Sequence, residues 1–89
     1  MSRIKIVILL LLLCLPVILM ADVVVDINSA DHSTIAKHVK GVGDKKALEI
    51  VRYREKNGLF SSVDELVKVK GIGRKTVEAN RKILTATQQ

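Results

Sequence analysis

An all-α domain of four to five short helices is the fold that residues 22–89 predict, on three observations. Apolar residues recur there at helical spacing, and no run alternates apolar with polar as a half-buried strand does. The connections between the periodic stretches are short, as between packed neighbouring helices. The third observation is a duplication: Val39-Lys40-Gly41-Val42-Gly43-Asp44-Lys45 returns thirty residues later as Val69-Lys70-Gly71-Ile72-Gly73-Arg74-Lys75. Each copy lies between two helical stretches, so the chain reads helix, turn, helix, linker, helix, turn, helix. One such unit is too small to bury its own apolar side, so the halves must dock, with a rough two-fold axis between them and both turns on one side.

The elements follow in order. Val23-Val24-Val25-Asp26-Ile27 is β-branched and extended in character, a leader with no evident strand partner. Asn28 or Ser29 caps a first helix to about Val39, with Ile35, Ala36 and Val39 inward. A longer helix follows from Asp44 to about Lys56; Ala47, Leu48, Ile50 and Val51 form its inward stripe, and Arg52, Arg54 and Lys56 its outer surface. Asn57-Gly58 ends it, Gly58 being the residue of positive φ. Leu59 and Phe60 plug the space between the halves. Ser62-Val63-Asp64-Glu65 is a capping box that opens a third helix with Val63, Leu66 and Val69 inward. A final helix runs from Arg74 to about Thr85 on Val77, Ala79, Ile83 and Leu84, leaving Thr85–Gln89 as a frayed tail.

Residues 1–21 read differently. Arg3 and Lys5 precede an apolar run from Ile6 to Ala21, closed by Asp22, which is the pattern of a secretory signal peptide cleaved after Ala21. At sixteen residues the run is short for a membrane span, which needs about 20; an uncleaved inner-membrane anchor facing the periplasm is the alternative. The single cysteine, Cys14, sits inside this run behind bulky Leu13, which does not fit a lipoprotein cleavage site. Residues 22–89 contain no cysteine and so allow neither a disulfide nor a thiolate metal site. The chain carries +6; without Arg3 and Lys5 it keeps +4, thirteen basic side chains against nine acidic. That excess favours polyanionic partners, and its placement is more informative than its size.

Lys40, Lys45 and Lys46 crowd the first turn; Lys68, Lys70, Arg74 and Lys75 crowd the second. A tight helix connection needs glycine, but it does not need a lysine before the first glycine and another two residues past the second, in both copies. The missing side chains at Gly41, Gly43, Gly71 and Gly73 let a phosphate oxygen reach the main chain, where unpaired amides and the helix start donate to it. Lys45 and Lys75 close over the phosphate, Thr76 adds a hydroxyl, and Val42 and Ile72 anchor each loop in the core. Asp44, where the second copy has Arg74, repels phosphate, so the second turn is expected to bind more tightly. His32 and His38 read as surface residues, and Asp64 and Glu65 as a helix start. No nucleophile–base pair or acidic metal cluster can be assembled, which argues for a non-enzymatic protein without a cofactor.

From Asp26-Ile27-Asn28-Ser29-Ala30 through Gly41-Val42-Gly43, Tyr53-Arg54-Glu55-Lys56-Asn57-Gly58-Leu59-Phe60-Ser61-Ser62-Val63-Asp64-Glu65-Leu66 and Val69-Lys70-Gly71-Ile72-Gly73-Arg74-Lys75-Thr76, the chain resembles ComEA-type tandem helix-hairpin-helix proteins. Lys40 and Lys70 stand where such motifs often have proline. The resemblance implies a sequence-independent double-stranded DNA binder in the periplasm, acting in DNA uptake during natural transformation, monomeric without DNA, with uptake-pilus or inner-membrane channel components as further partners. It places the interface on Lys40, Gly41, Val42, Gly43, Lys45, Lys46, Lys70, Gly71, Ile72, Gly73, Arg74, Lys75 and Thr76. An exported helical scaffold or protein-interaction module is the alternative.

Overall fold

The computed structural model describes residues 23–88. The expected signal peptide at 1–21 lies outside the described residues. The order is β1 (Val25–Asp26), α1 (His32–His38), α2 (Asp44–Asn57), a 3-10 helix (Val63–Lys68), α3 (Arg74–Ala79) and β2 (Leu84–Thr85). The fold is thus mostly helical, as expected, with one addition.

That addition joins the two ends of the domain. β1 and β2 pair in parallel, Val25 opposite Leu84, with the Val25 amide donating to Ile83 O at 2.7 Å and the Ile27 amide to Thr85 O at 2.9 Å. The partner of the β-branched leader is the segment expected to continue the last helix. α3 instead stops at Ala79, because Asn80 caps it and folds its side-chain amide back onto Thr76 O at 2.8 Å. A turn through Ile83 follows, and Leu84 and Thr85 enter the ladder. Nor is the tail frayed: the Thr87 amide donates to Asp26 Oδ1 (3.2 Å) and Gln88 Nε2 to Phe60 O (2.8 Å).

Cap assignments shift for local reasons. Asp31, not Asn28 or Ser29, caps α1, accepting from the Thr34 amide at 2.8 Å. Asn28 is buried instead and holds the linker: its Oδ1 accepts from the Phe60 amide at 2.8 Å, while Nδ2 donates to Phe60 O and Thr87 O, both at 3.0 Å. The expected capping box is only half made. Ser62 makes no side-chain cap, and Glu65 reaches one residue further back to the Ser61 amide at 3.2 Å. The element it opens is 3-10, bonded from Glu65 to Ser62 O and from Val69 to Leu66 O. α2 ends as expected at Gly58, with φ of 90°.

Ile27, Ile35 and Ala47 are wholly buried, and Val39, Ile50, Leu66, Val69, Val77 and Leu84 close the core around them. Phe60 is fully buried and stacks on Tyr53, ring centroids 5.2 Å apart, so it is the plug between the halves. Leu59 is not; it is 40% exposed. Arg54, expected on the outer surface, is half-buried and donates to Ile27 O at 2.8 Å, tying α2 to the strand. Ala79 is exposed on the last turn of α3.

Candidate nucleic-acid interface

The two glycine turns are built alike. Gly41 and Gly71 take φ of 83° and 90°, a left-handed conformation in which a Cβ would crowd the backbone. The residue between each glycine pair then drops into the core, Val42 at 3% exposure and Ile72 at 5%, each with its amide bonded to the carbonyl three residues earlier (3.2 and 3.0 Å). The second glycine of each pair is extended, φ −85° at Gly43 and −105° at Gly73, and serves as helix N-cap without a capping side chain. The first bond back to those glycines comes from Ala47 (2.9 Å) and Val77 (3.3 Å). The amides of 43–46 and 73–76 therefore have no intrahelical partner and sit on exposed or half-exposed residues. Four donors in a row, with nothing within 4 Å of where a Cβ would stand on Gly43 or Gly73, suit an oxyanion such as phosphate. α3 is only six residues long, so at the second turn loop amides and cations carry more of the attraction than a macrodipole does.

The turns lie side by side and interlock. A Cβ placed on Gly71 would stand 3.5 Å from Cγ and Cε of Lys46, and one on Gly41 would stand 3.8 Å from Oγ1 of Thr76. Lys46 and Thr76 occupy the same position in the two copies, the third residue past the second glycine, so each half covers the other's first glycine. This reciprocity is the expected two-fold relation, and it puts both turns at one edge of the domain. It also gives two of the expected contact residues a second role. The Lys46 stem packs across the second turn and its Nζ donates to Gly41 O at 3.4 Å, while Thr76 is half-buried over Gly41. Both therefore help to join the turns, and Lys46 stays exposed while doing so. Val42 and Ile72 are buried and present only backbone.

Lys40, Lys45, Lys70, Arg74 and Lys75 are all exposed, as is Asp44 at the first residue of α2. Among the described residues no three His, Asp or Glu side chains gather as metal ligands would. A further residue, absent from the sequence reading, organises the site. Asn80 is 3% exposed; its Oδ1 accepts from the Lys40 amide at 2.8 Å and its Nδ2 donates to Lys40 O at 2.9 Å and Thr76 O at 2.8 Å. One side chain at the end of α3 thus fixes the backbone that leads into the first turn. The signal was present: Val77, Asn80 and Leu84 are spaced i, i+3, i+7, which marks Asn80 as a polar residue pointing inward.

Residues 20–85 match the family model described as the helix-hairpin-helix motif. The chain belongs to the helix-hairpin-helix family. It is 50% identical over 56 residues to an uncharacterised protein of Haemophilus influenzae, covering 63% of this chain and 50% of that one. Against ComE operon protein 1 of Bacillus subtilis it is 39% identical over 61 residues, 68% of this chain and 29% of the relative, which supports the ComEA-type resemblance. It is also 39% identical over 54 residues to the human S1 RNA-binding domain-containing protein 1, of which this covers 5%. The chain thus spans half or less of the length of these relatives. No solved structure matches it significantly.

Proposed function

We propose that the protein is a non-enzymatic, sequence-independent binder of double-stranded DNA, exported to the periplasm and serving DNA uptake during natural transformation. One observation carries the DNA reading: two hairpins of similar backbone geometry are locked edge to edge, each offering unpaired amides beside exposed lysines. Contacts to phosphate position a duplex without reading its bases, so such binding is indifferent to sequence. Gly41, Gly43 and Lys45 form one cradle; Gly71, Gly73, Lys75 and Arg74 form the stronger one. Protein bound outside the cytoplasm would keep incoming DNA from sliding back. The basic, then apolar, leader supports export, and the likeness to ComE operon protein 1 supports the competence role. The protein acts as a monomer until DNA is present, and uptake-pilus or inner-membrane channel components are its expected partners.

Affinity should be on the order of micromolar or weaker at physiological salt. The hairpins engage about four phosphates, which gives log K against log salt a slope of about −3.6 from these contacts alone. The test is Lys45→Glu with Lys75→Glu, read by fluorescence anisotropy on unrelated duplexes and by circular dichroism. DNA binding should collapse while the helical signal persists. Undiminished binding would refute the hairpin reading and favour a scaffold role.

A further inference from the structure

Beyond the hairpins lies a groove between α2 and the backbone leading into the second turn. Glu49, Arg52, Tyr53 and Lys56 line it on the helix side, Lys68 and Lys70 on the other. Its start is tied to the second hairpin twice. Lys70 directly precedes Gly71, and Lys46, whose stem covers Gly71, lies on the same face of α2 as Glu49, Tyr53 and Lys56, at spacings of three, four and three. The groove therefore leads away from the hairpin along α2 for about 15 Å. We propose that it is a second phosphate-contacting surface that follows the same DNA strand past the second hairpin, with Arg52 and Lys56 as its added contacts.

The duplication supplies an internal comparison. Thirty residues of offset map this groove onto another, lined by His38, Lys40, Ala79, Lys82 and Ile83 in the equivalent places, with Glu78 added. That copy carries two lysines and one glutamate; the α2 groove carries four cations and one glutamate. Basic charge is thus not a by-product of the repeat. It is concentrated on the side where α2, at fourteen residues, outlasts the six-residue α3 and can follow a strand. The carboxylate there does not cancel it. Glu49 faces Arg52 at 3.4 Å, but the Arg52 side chain is 69% exposed, so the pair is weak and the guanidinium can turn to a phosphate. Tyr53 gives the groove a rigid floor through its stacking on Phe60.

The inference rests on the hairpin reading, and the experiment separates the two. Three double variants of equal charge change are compared by anisotropy on a 20–30 base-pair duplex from about 0.05 to 0.3 M salt: Arg52→Gln with Lys56→Gln, Lys45→Gln with Lys75→Gln, and Lys37→Gln with Lys82→Gln. With two groove contacts added, the intact protein has a slope of about −5.4; the groove pair should return it to about −3.6 and weaken binding about 30-fold at 0.15 M. The Lys37/Lys82 pair should change little. A groove pair that keeps the intact slope, or a Lys37/Lys82 pair that loses as much, overturns the groove. Loss from the groove pair with none from the Lys45/Lys75 pair overturns the hairpins, and with them the strand path proposed here, while showing that Arg52 and Lys56 bind DNA in another way.

Discussion

Replacing Asn80 by alanine should cost this domain about 3 kcal/mol, a third or more of its stability. Three hydrogen bonds vanish: Lys40 N–H to Oδ1, and Nδ2 to Lys40 O and to Thr76 O, all between 2.8 and 2.9 Å. At a net contribution of about 1 kcal/mol each they sum to ~3 kcal/mol. Lys40 is itself exposed, so water can replace part of what its amide loses, and no further penalty is added. A loss of ~3 kcal/mol compares with ~3–10 kcal/mol for a domain of this length. In thermal terms each kcal/mol moves the midpoint by roughly 4–8 °C, so the drop should be at least about 12 °C. Urea unfolding followed by far-UV circular dichroism measures it, with the m-value of the wild type serving to confirm that the same surface is exposed. Because the lost bonds hold the approach to the first turn, stabilised samples of the variant at low temperature should also bind DNA less well through that turn. A loss below about 1 kcal/mol would show that Asn80 does not clamp the two halves.

The paired glycines separate folding from binding. Gly71→Ala forces a side chain into φ of 90° and should cost about 1–2 kcal/mol, whereas Gly73→Ala, at φ −105° with nothing within 4 Å of its Cβ, should leave the thermal midpoint unchanged or slightly raised. Gly73→Ala should nonetheless weaken DNA binding about tenfold or more by anisotropy, since its methyl stands before the amides. Asp44→Lys removes an exposed carboxylate from the first turn and should tighten binding several-fold while steepening the salt slope by about 0.9; an unchanged slope would show that the first turn does not touch phosphate. Lys46→Met keeps the stem over Gly71 and should hold the wild-type midpoint, while Lys46→Ala should lower it. Partial burial raises the carboxyl pKa of Asp26, but hydrogen bonds from the Asn28 amide and from Thr87 and Ser29 outweigh it and hold the group below its ordinary value. A depressed folded pKa contributes stability in full above the unfolded value near 3.9, and that contribution is lost as pH falls through the lower folded value. Asp26→Asn should therefore flatten the decline in urea midpoint as pH falls below about 4.

How much of the fold was legible follows from range. The hairpins were read correctly because everything that shapes them is local: a glycine that needs positive φ, a buried Val42 or Ile72, a helix starting at once. Phe60 and the end of α2 at Gly58 were legible for the same reason. What escaped depends on partners far away in sequence. Val25 has no evident partner in the sequence because the apolar spacing carries Leu84 into the last helix, and Leu84 leaves that helix because Asn80, bonded to Lys40, ends it. Helix propensity through Arg81–Thr85 is ordinary, so nothing within the segment predicts the break; a tertiary contact to the other half decides it.

The same distinction sorts the site residues. Lysine spacing around both turns marked Lys40, Lys45, Lys70 and Lys75, and all four remain exposed where a phosphate could meet them. Lys46, one of the lysines crowding the first turn, and Thr76, expected to add a hydroxyl, also serve the contact between the copies, a role that exists only once the copies are stacked. A repeat read from sequence gives each unit's own chemistry twice; it cannot say which residues also join the units. Here one equivalent position, third past each second glycine, does so in both halves. The cations left over do not repeat: Arg52 and Lys56 have Lys82 alone as a basic counterpart in the other half. Two turns of similar backbone thus carry an asymmetric charge surface, weighted toward the second hairpin, where Arg74 replaces the phosphate-repelling Asp44.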